Sequence, residues 1–275
     1  LAAGTGDWAV GPGRVPAAWA VVDSTATGRF RVLWIVDDDG ASFPAPGGDP
    51  DGLVEAGDAS LRFALTDRSG VLAVDIGRPL VGPGADALRA SLAEIVSGTT
   101  THGGALLAPF GIRYVVADES RLAGSARVAL DAQTDLDLVP SSGLLIWRSG
   151  SALPLAGVAA TTPAEDRLVI STRRGDIQRL PALATAPLRR VPGGWDGTSE
   201  GGSRVLMSTE FDGAWQVVGD TRQPERAFGW ATSFRTEASD VSIRYGAQLP
   251  RTIAVWLLAG FWAAALWITR KPVRR

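Results

Sequence analysis

The chain contains no cysteine, so neither a disulfide framework nor a thiolate metal site can be built from it. Its single histidine, His102, excludes multi-histidine metal sites and confines any Ser-His-Asp arrangement to its own neighbourhood. Charge of neither sign dominates. The 27 Lys and Arg against 29 Asp and Glu leave a net −2, with no basic block outside the C-terminal tail, which argues against a nucleic-acid partner. The opening stretch LAAGTGDWAVGPGRVP has neither a charged n-region nor an apolar h-region, so it does not read as an export signal.

What is present describes a globular chain with a membrane-like end. The 275 residues, 45% hydrophobic and 20% charged, provide for about two domains with real cores. From Thr252 to Ile268 the chain reads TIAVWLLAGFWAAALWI without a charge. As a helix this run spans about 26 Å, against a bilayer core of about 30 Å. Trp256, Trp262 and Trp267 supply large apolar surfaces, the outer two placed where indoles favour membrane interfaces. Arg270, Lys271, Arg274 and Arg275 follow directly. By the positive-inside rule the C-terminus is expected in the cytoplasm, with residues 1–248 extracytoplasmic at the cell membrane. A body exported without a signal of its own, on a chain beginning at Leu1, is expected to be the C-terminal portion of a longer multispanning protein. A tail-anchored protein with a cytoplasmic body is the alternative.

The body divides by texture. RVLWIV at 31–36 and IRYVVA at 112–117 are continuous apolar runs of the kind that form strands covered on both faces. Ser60–Leu65 and Gly70–Ile76 alternate and predict a strand pair about the turn at 67–70. Gly84–Val96 follows the helical rule, with Leu88, Leu92, Ile95 and Val96 on one face. A short helix is predicted at Ala17–Val22, another at Ala105–Ala108 ended by Pro109, and a third at Ala123–Gln133. Strands are predicted at Leu136–Val139 and Leu144–Arg148. The whole suggests a layered α/β subdomain over 1–150. Beyond it no long helical period survives. Short runs at 204–209, 214–218, 227–234 and 241–245 predict an antiparallel β-sandwich over 151–248. A transmembrane helix with a basic tail then occupies 249–275.

Few residues suggest chemistry. Asp37, Asp38 and Asp39 follow an apolar strand, as do the metal-holding Asp-x-Asp pairs of nucleotide-sugar glycosyltransferases, because hard cations take oxygen ligands. The same carboxylates read equally as a solvated loop, or as a calcium site formed with Asp49 and Asp51. No other cofactor is expected. His102 lies in a polar, Gly-rich loop that suits a surface or helix-capping group. Trp195, Trp215 and Trp230 offer faces on which sugar rings can stack, with core packing as the alternative. Arg173, Arg174, Arg189 and Arg190 would meet lipid-linked phosphates if they face the membrane, and are otherwise solvated charge.

Several segments together resemble one family. These are RFRVLWI at 29–35, LLAPFGIRYVVAD at 106–118, LDAQTDLDLV and GLLIWR within 130–148, STEFDGAWQVV at 208–218, and VSIRY at 241–245 running into the apolar C-terminal segment. They are similar to the C-terminal extracytoplasmic region of actinobacterial multispanning membrane glycosyltransferases, in which a cytoplasmic family-2 catalytic domain precedes many membrane spans. The resemblance implies an accessory extracytoplasmic domain of cell-envelope polysaccharide synthesis, with the catalytic carboxylates elsewhere and none carried by this sequence. Membrane lipid, a lipid-linked glycan and envelope proteins are the partners it implies. A structural or protein-interaction module without glycan contact is one alternative. The other is a metal-dependent glycosyltransferase using Asp37 and Asp39.

Overall fold

A computed structural model describes residues 28–38, 52–56, 59–67, 82–180, 183, 185–246 and 248–269. It is a mixed α/β structure with antiparallel sheets. The first layer is a six-stranded sheet ordered β2-β3-β1-β4-β6-β5. Its strands are β1 (Arg31–Asp37), β2 (Gly52–Ala56), β3 (Ala59–Asp67), β4 (Ile112–Asp118), β5 (Leu136–Val139) and β6 (Leu144–Ser149). Only β1 and β4 run parallel; every other neighbouring pair is antiparallel. These two central strands are buried on both faces, which is why each reads as an unbroken apolar run. Leu33 and Ile35 belong to one apolar cluster, and Val32, Trp34 and Val36 to another on the opposite face.

Three helices belong to this layer: α1 (Gly82–Val96), α2 (Gly103–Leu107) and α3 (Gly124–Asp131). The apolar stripe expected on α1 is the one buried, through Leu88, Leu92, Ile95 and Val96. Pro109 does not end the second helix. It sits in a 3-10 turn at Ala108–Phe110, which Gly111 closes in the left-handed region at φ 67°. A Cβ at Gly111 would stand 2.7 Å from a Leu155 methyl, so the site needs glycine for both space and backbone.

Two further sheets follow. One is ordered β13-β14-β11-β7-β8 and the other β12-β15-β10-β9. The first contains β7 (Ala156–Ala159), β8 (Thr185–Pro187), β11 (Ser203–Glu210), β13 (Glu225–Ala227) and β14 (Ala231–Thr236). The second contains β9 (Arg189–Val191), β10 (Gly194–Thr198), β12 (Trp215–Val217) and β15 (Asp240–Tyr245). The pairings within both are antiparallel, as the short alternating runs predict.

The structure departs from the sequence reading in four places. The strand β2 pairs with β3 although no strand was expected at 52–56, and the expected partner at 70–76 lies outside the described residues, as does the short helix at 17–22. The all-β region holds two helices, α4 (Pro163–Ile170) and α5 (Arg174–Ile177). A reciprocal capping box nucleates α4: Thr162 Oγ1 accepts from Glu165 N, and Glu165 accepts from Thr162 N at 2.7 Å. The run 227–234 is not one strand but a hairpin, because Phe228 and Gly229 both adopt positive φ, at 52° and 80°. Finally, α6 (Gln248–Thr269) forms a continuous helix of 22 residues beginning earlier than expected. Among the described residues, however, no helix is long and apolar enough to cross a membrane. On α6 the described side chains run from Ala254 to Leu266.

One apolar cluster extends from Leu33 and Leu88 through Phe110, Leu155 and Trp230 to Ile243, so all three sheets share it. Arg31 crosses the same junction. Almost wholly buried, its Nη1 donates to Phe110 O at 2.7 Å and to Ser208 O at 2.8 Å. Beside it, Leu155 N donates to Arg29 O and Ser208 N to Leu155 O. Charged hydrogen bonds of this kind contribute roughly 1.5–3 kcal/mol each, and their loss strands two carbonyls in the interior. Arg31→Ala is therefore expected to lower unfolding free energy by about 3 kcal/mol, read as a shift in denaturant midpoint. An unchanged midpoint would remove Arg31 from the account of how the layers are joined.

Candidate functional site

Where the layers meet, a cleft of about 240 Å³ opens between α1, the 3-10 turn, α5 and the hairpin joining β13 to β14. Its floor is aromatic. The rings of Phe110 and Trp230 stack at 4.8 Å with 11° between their planes. The hairpin supplies one wall. Trp230 N donates to Ala227 O at 3.1 Å, and the two residues between them take left-handed backbone, as in a type I′ turn. Such a turn favours Asn or Gly, yet Phe228 stands there. The backbone strain costs about 1–2 kcal/mol, while burying a phenylalanine returns roughly 1.5–3 kcal/mol. Phe228 is 6% exposed, so burial wins.

The rim is charged and already ordered. Arg174, at the start of α5, reaches across to α1. Its Nε lies 2.7 Å from Glu94 Oε1, Nη1 donates to Ser91 Oγ at 3.1 Å, and Nη2 donates to Ala87 O at 2.9 Å. Asp86, also on the rim, pairs with Arg89 at 2.7 Å. Ser91 is no activated nucleophile. Its hydroxyl donates to Ala87 O at 2.9 Å and accepts from Arg174, with no general base among its bonded partners. An apolar floor under fixed charged groups can hold a ligand with one apolar face and several hydroxyls.

The residues singled out in the sequence do not converge here, Trp230 and Arg174 excepted. Trp195 is 3% exposed, and the Arg190 guanidinium lies 5.5 Å from its ring centre. Trp215 is half-buried and meets Tyr245 edge-on at 5.0 Å. Tyr245 OH donates to Asp212 Oδ2 at 2.8 Å. At the end of β1, Asp38 pairs with Arg62 at 3.0 Å, while Asp39, Asp49 and Asp51 lie outside the described residues. Among the described residues no three His, Cys, Asp or Glu side chains group to hold a metal. His102 is exposed, its Nδ1 3.1 Å from Thr101 Oγ1. The α2 N-terminus is served instead by Asp135, which accepts from Gly104 N and Ala105 N at 2.8 and 2.7 Å. On α6, Trp256 and Trp262 are exposed, whereas the Trp267 side chain, Arg270 and Lys271 lie outside the description.

Sequence reasoning missed Phe110, Phe228, Asp86 and Ser91 because they come from segments far apart in the chain. The only local signal was Gly229 interrupting an apolar run, which marks a turn or bulge. The densest charged cluster is also structural. Arg204, 1% exposed on its side chain, bonds Asp166 at 2.6 Å, Glu225 at 3.1 Å and Ser233 at 2.9 Å. Burial pushes the Asp166 carboxyl upward, but Arg204 and Arg235 together outweigh it and hold the group below its ordinary value.

Glu210 behaves in the opposite way. Burial raises its pKa above the ordinary 4.5, Asp86 adds to the rise, and the bond from Gly84 N at the first turn of α1 together with Arg226 only partly offsets it. The folded state thus holds this proton more tightly than the unfolded chain. Its contribution to stability is greatest when Glu210 is protonated and declines as pH rises from about 4.5 through the raised folded value. Glu210→Gln keeps an acceptor for Gly84 N and should flatten that decline, so denaturation midpoints at pH 4 and pH 7 (about half a unit below and well above the ordinary value) should differ less than in the parent. An equal difference in both proteins would contradict the assignment. Comparison with known proteins finds no match for this chain among family models, curated proteins or solved structures.

Proposed function

We propose that the chain is an accessory, membrane-tethered domain of a cell-envelope glycosyltransferase, with its body outside the cytoplasm and its C-terminus within. The observation that carries the reading is the surface of α6. Val255, Trp256, Leu257, Leu258, Phe261, Trp262 and Leu266 are all exposed, the lowest of them at 56%. A soluble surface rarely presents so large a contiguous apolar patch, and lipid is a solvent that stabilises one. The backbone of α6 extends over 22 residues, about 33 Å as a helix. The sequence resemblance supplies the enzyme class. The cleft supplies a role that needs no catalysis: its aromatic floor and its rim of Arg174 and Asp86 suit one sugar ring of a lipid-linked glycan. The reading assigns the chain no cofactor.

Membrane attachment is checked by carbonate extraction of cells expressing the chain. The parent should stay in the membrane pellet, and a Leu258→Lys/Phe261→Lys variant should move largely to the supernatant. A reporter fused after Arg275 should read as cytoplasmic; an external reporter would reverse the topology.

The accessory role has its own test. The purified chain in detergent should show no sugar-nucleotide turnover but should retain lipid-linked oligosaccharide, with retention several-fold weaker in Arg174→Ala. Robust turnover would overturn the accessory role. Membrane attachment with no glycan retention would favour a structural or protein-interaction module.

A further inference from the structure

The cleft is polar along its rim and almost entirely hydrocarbon inside. Its inner wall comes from Leu106, Pro109, Phe110, Phe228 and Trp230, and the backbone there is largely engaged. Phe110 O serves Arg31, Phe228 N donates to Val169 O, and both backbone groups of Trp230 are bonded. One side-chain polar group remains. Among the described residues the Trp230 indole N–H has no hydrogen-bond partner, although a buried indole donor ordinarily finds one. It donates and cannot accept.

That asymmetry selects the chemistry of what can lie against the wall. A hydroxyl could accept from the indole, but its own proton would be left without a partner, and burying an unpaired donor is penalised. An ether oxygen accepts and carries no proton, so it meets the same wall with nothing stranded. Every other atom in contact must be apolar.

The rim sets two further conditions. Its charges are already paired, Arg174 with Glu94 and Asp86 with Arg89, each at 2.7 Å. A charged ligand would compete with one of these pairs, and an uncharged one leaves both intact. The three contacts of Arg174 leave two of its N–H donors unspent. Asp86 uses one carboxylate oxygen on Arg89, and Thr172 is exposed. Hydroxyls therefore find both donors and acceptors at the rim. The volume, about 240 Å³, lies below the roughly 300–1,000 Å³ of pockets that hold drug-sized ligands, and suits a single ring.

We propose that the cleft takes an uncharged 6-deoxyhexose residue, which enters by the edge formed of its ring oxygen and its methyl group. In a pyranose the ring oxygen is bonded to the carbon that bears this methyl, so one edge supplies both groups. The ring oxygen accepts from the Trp230 N–H, and the methyl lies against Phe110 and Phe228. The hydroxyls of the opposite edge meet Arg174, Asp86 and Thr172. A hexose with a hydroxymethyl in that place brings a proton that the wall cannot receive. This inference deepens the glycan reading of the cleft and rests on it.

The test uses the purified full chain in a detergent without a sugar headgroup. Methyl glycosides of 6-deoxyhexoses in the gluco, manno and galacto configurations are each compared with the parent hexoside by titration and saturation-transfer NMR. At least one deoxy compound should bind roughly 10- to 100-fold tighter than its parent, the discrimination that an apolar pocket makes against an added hydroxyl. Its methyl protons should be the most strongly saturated. Trp230→Phe keeps an aromatic ring and removes the indole N–H, so it should weaken the deoxy compound several-fold. Undiminished binding would overturn the ring-oxygen contact. If that variant does not fold, the ligand pairs on the parent chain decide. Equal affinity within every pair, or no monosaccharide bound by a chain that still retains lipid-linked oligosaccharide, would overturn the deoxy-sugar assignment and leave the glycan reading. A chain that binds neither would overturn both.

Discussion

The arrangement of the layers depends on one buried cation. Arg31 opens the first strand of the six-stranded sheet, yet its guanidinium serves carbonyls of the 3-10 turn before β4 and of β11. A charge that deep is tolerated only where fixed acceptors replace water. The carbonyls must therefore stay where the guanidinium can reach them, and the backbone bonds through Leu155 hold the same junction. Gly111 fits the same geometry. Its left-handed backbone returns the chain from the turn into β4, and Arg31 N donates to its carbonyl at 2.7 Å.

The cleft is a consequence of that junction. Phe110 carries one of the carbonyls that Arg31 holds, and its ring stacks on Trp230 from the far sheet. Phe228 accepts an unfavourable backbone conformation because the interior it fills returns more free energy than the turn loses. Arg174 then closes the rim by tying α5 to α1. Interior packing and rim charge are thus parts of one construction. The cleft is a ready-formed concavity and requires no moving lid to exist.

Much of the architecture was legible because local pattern and burial agree. The runs at 31–36 and 112–117 are central strands, the stripe on 84–96 is the buried side of α1, and the alternating runs after 203 pair antiparallel. Where local and tertiary demands conflict, the pattern misleads. AFGWATSF reads as one strand because it is almost wholly apolar, but two adjacent left-handed residues fold it into a hairpin. Helix α4 carries a start signal in Thr162, Pro163 and Glu165 that the reading of residues 151–248 as all-β did not use. Strand β2 had no such signal; it exists because β3 offers it an edge.

Composition and order alone determined the chemistry that is absent and the hydrophobic texture that is present. Cysteine and histidine counts, apolar periodicity and the uncharged C-terminal run need no coordinates, because each is a property of residues close together in the chain. Tertiary structure decided which aromatics lie inside. It buried Trp195 beneath Arg190, set Trp230 in the floor of a cleft, and left Trp215 half-exposed against Tyr245. All three are tryptophans within antiparallel strands or their turns, and nothing local separates them. Their roles differ because burial and charge neighbourhood are set by segments distant in sequence, brought together only when the sheets pair.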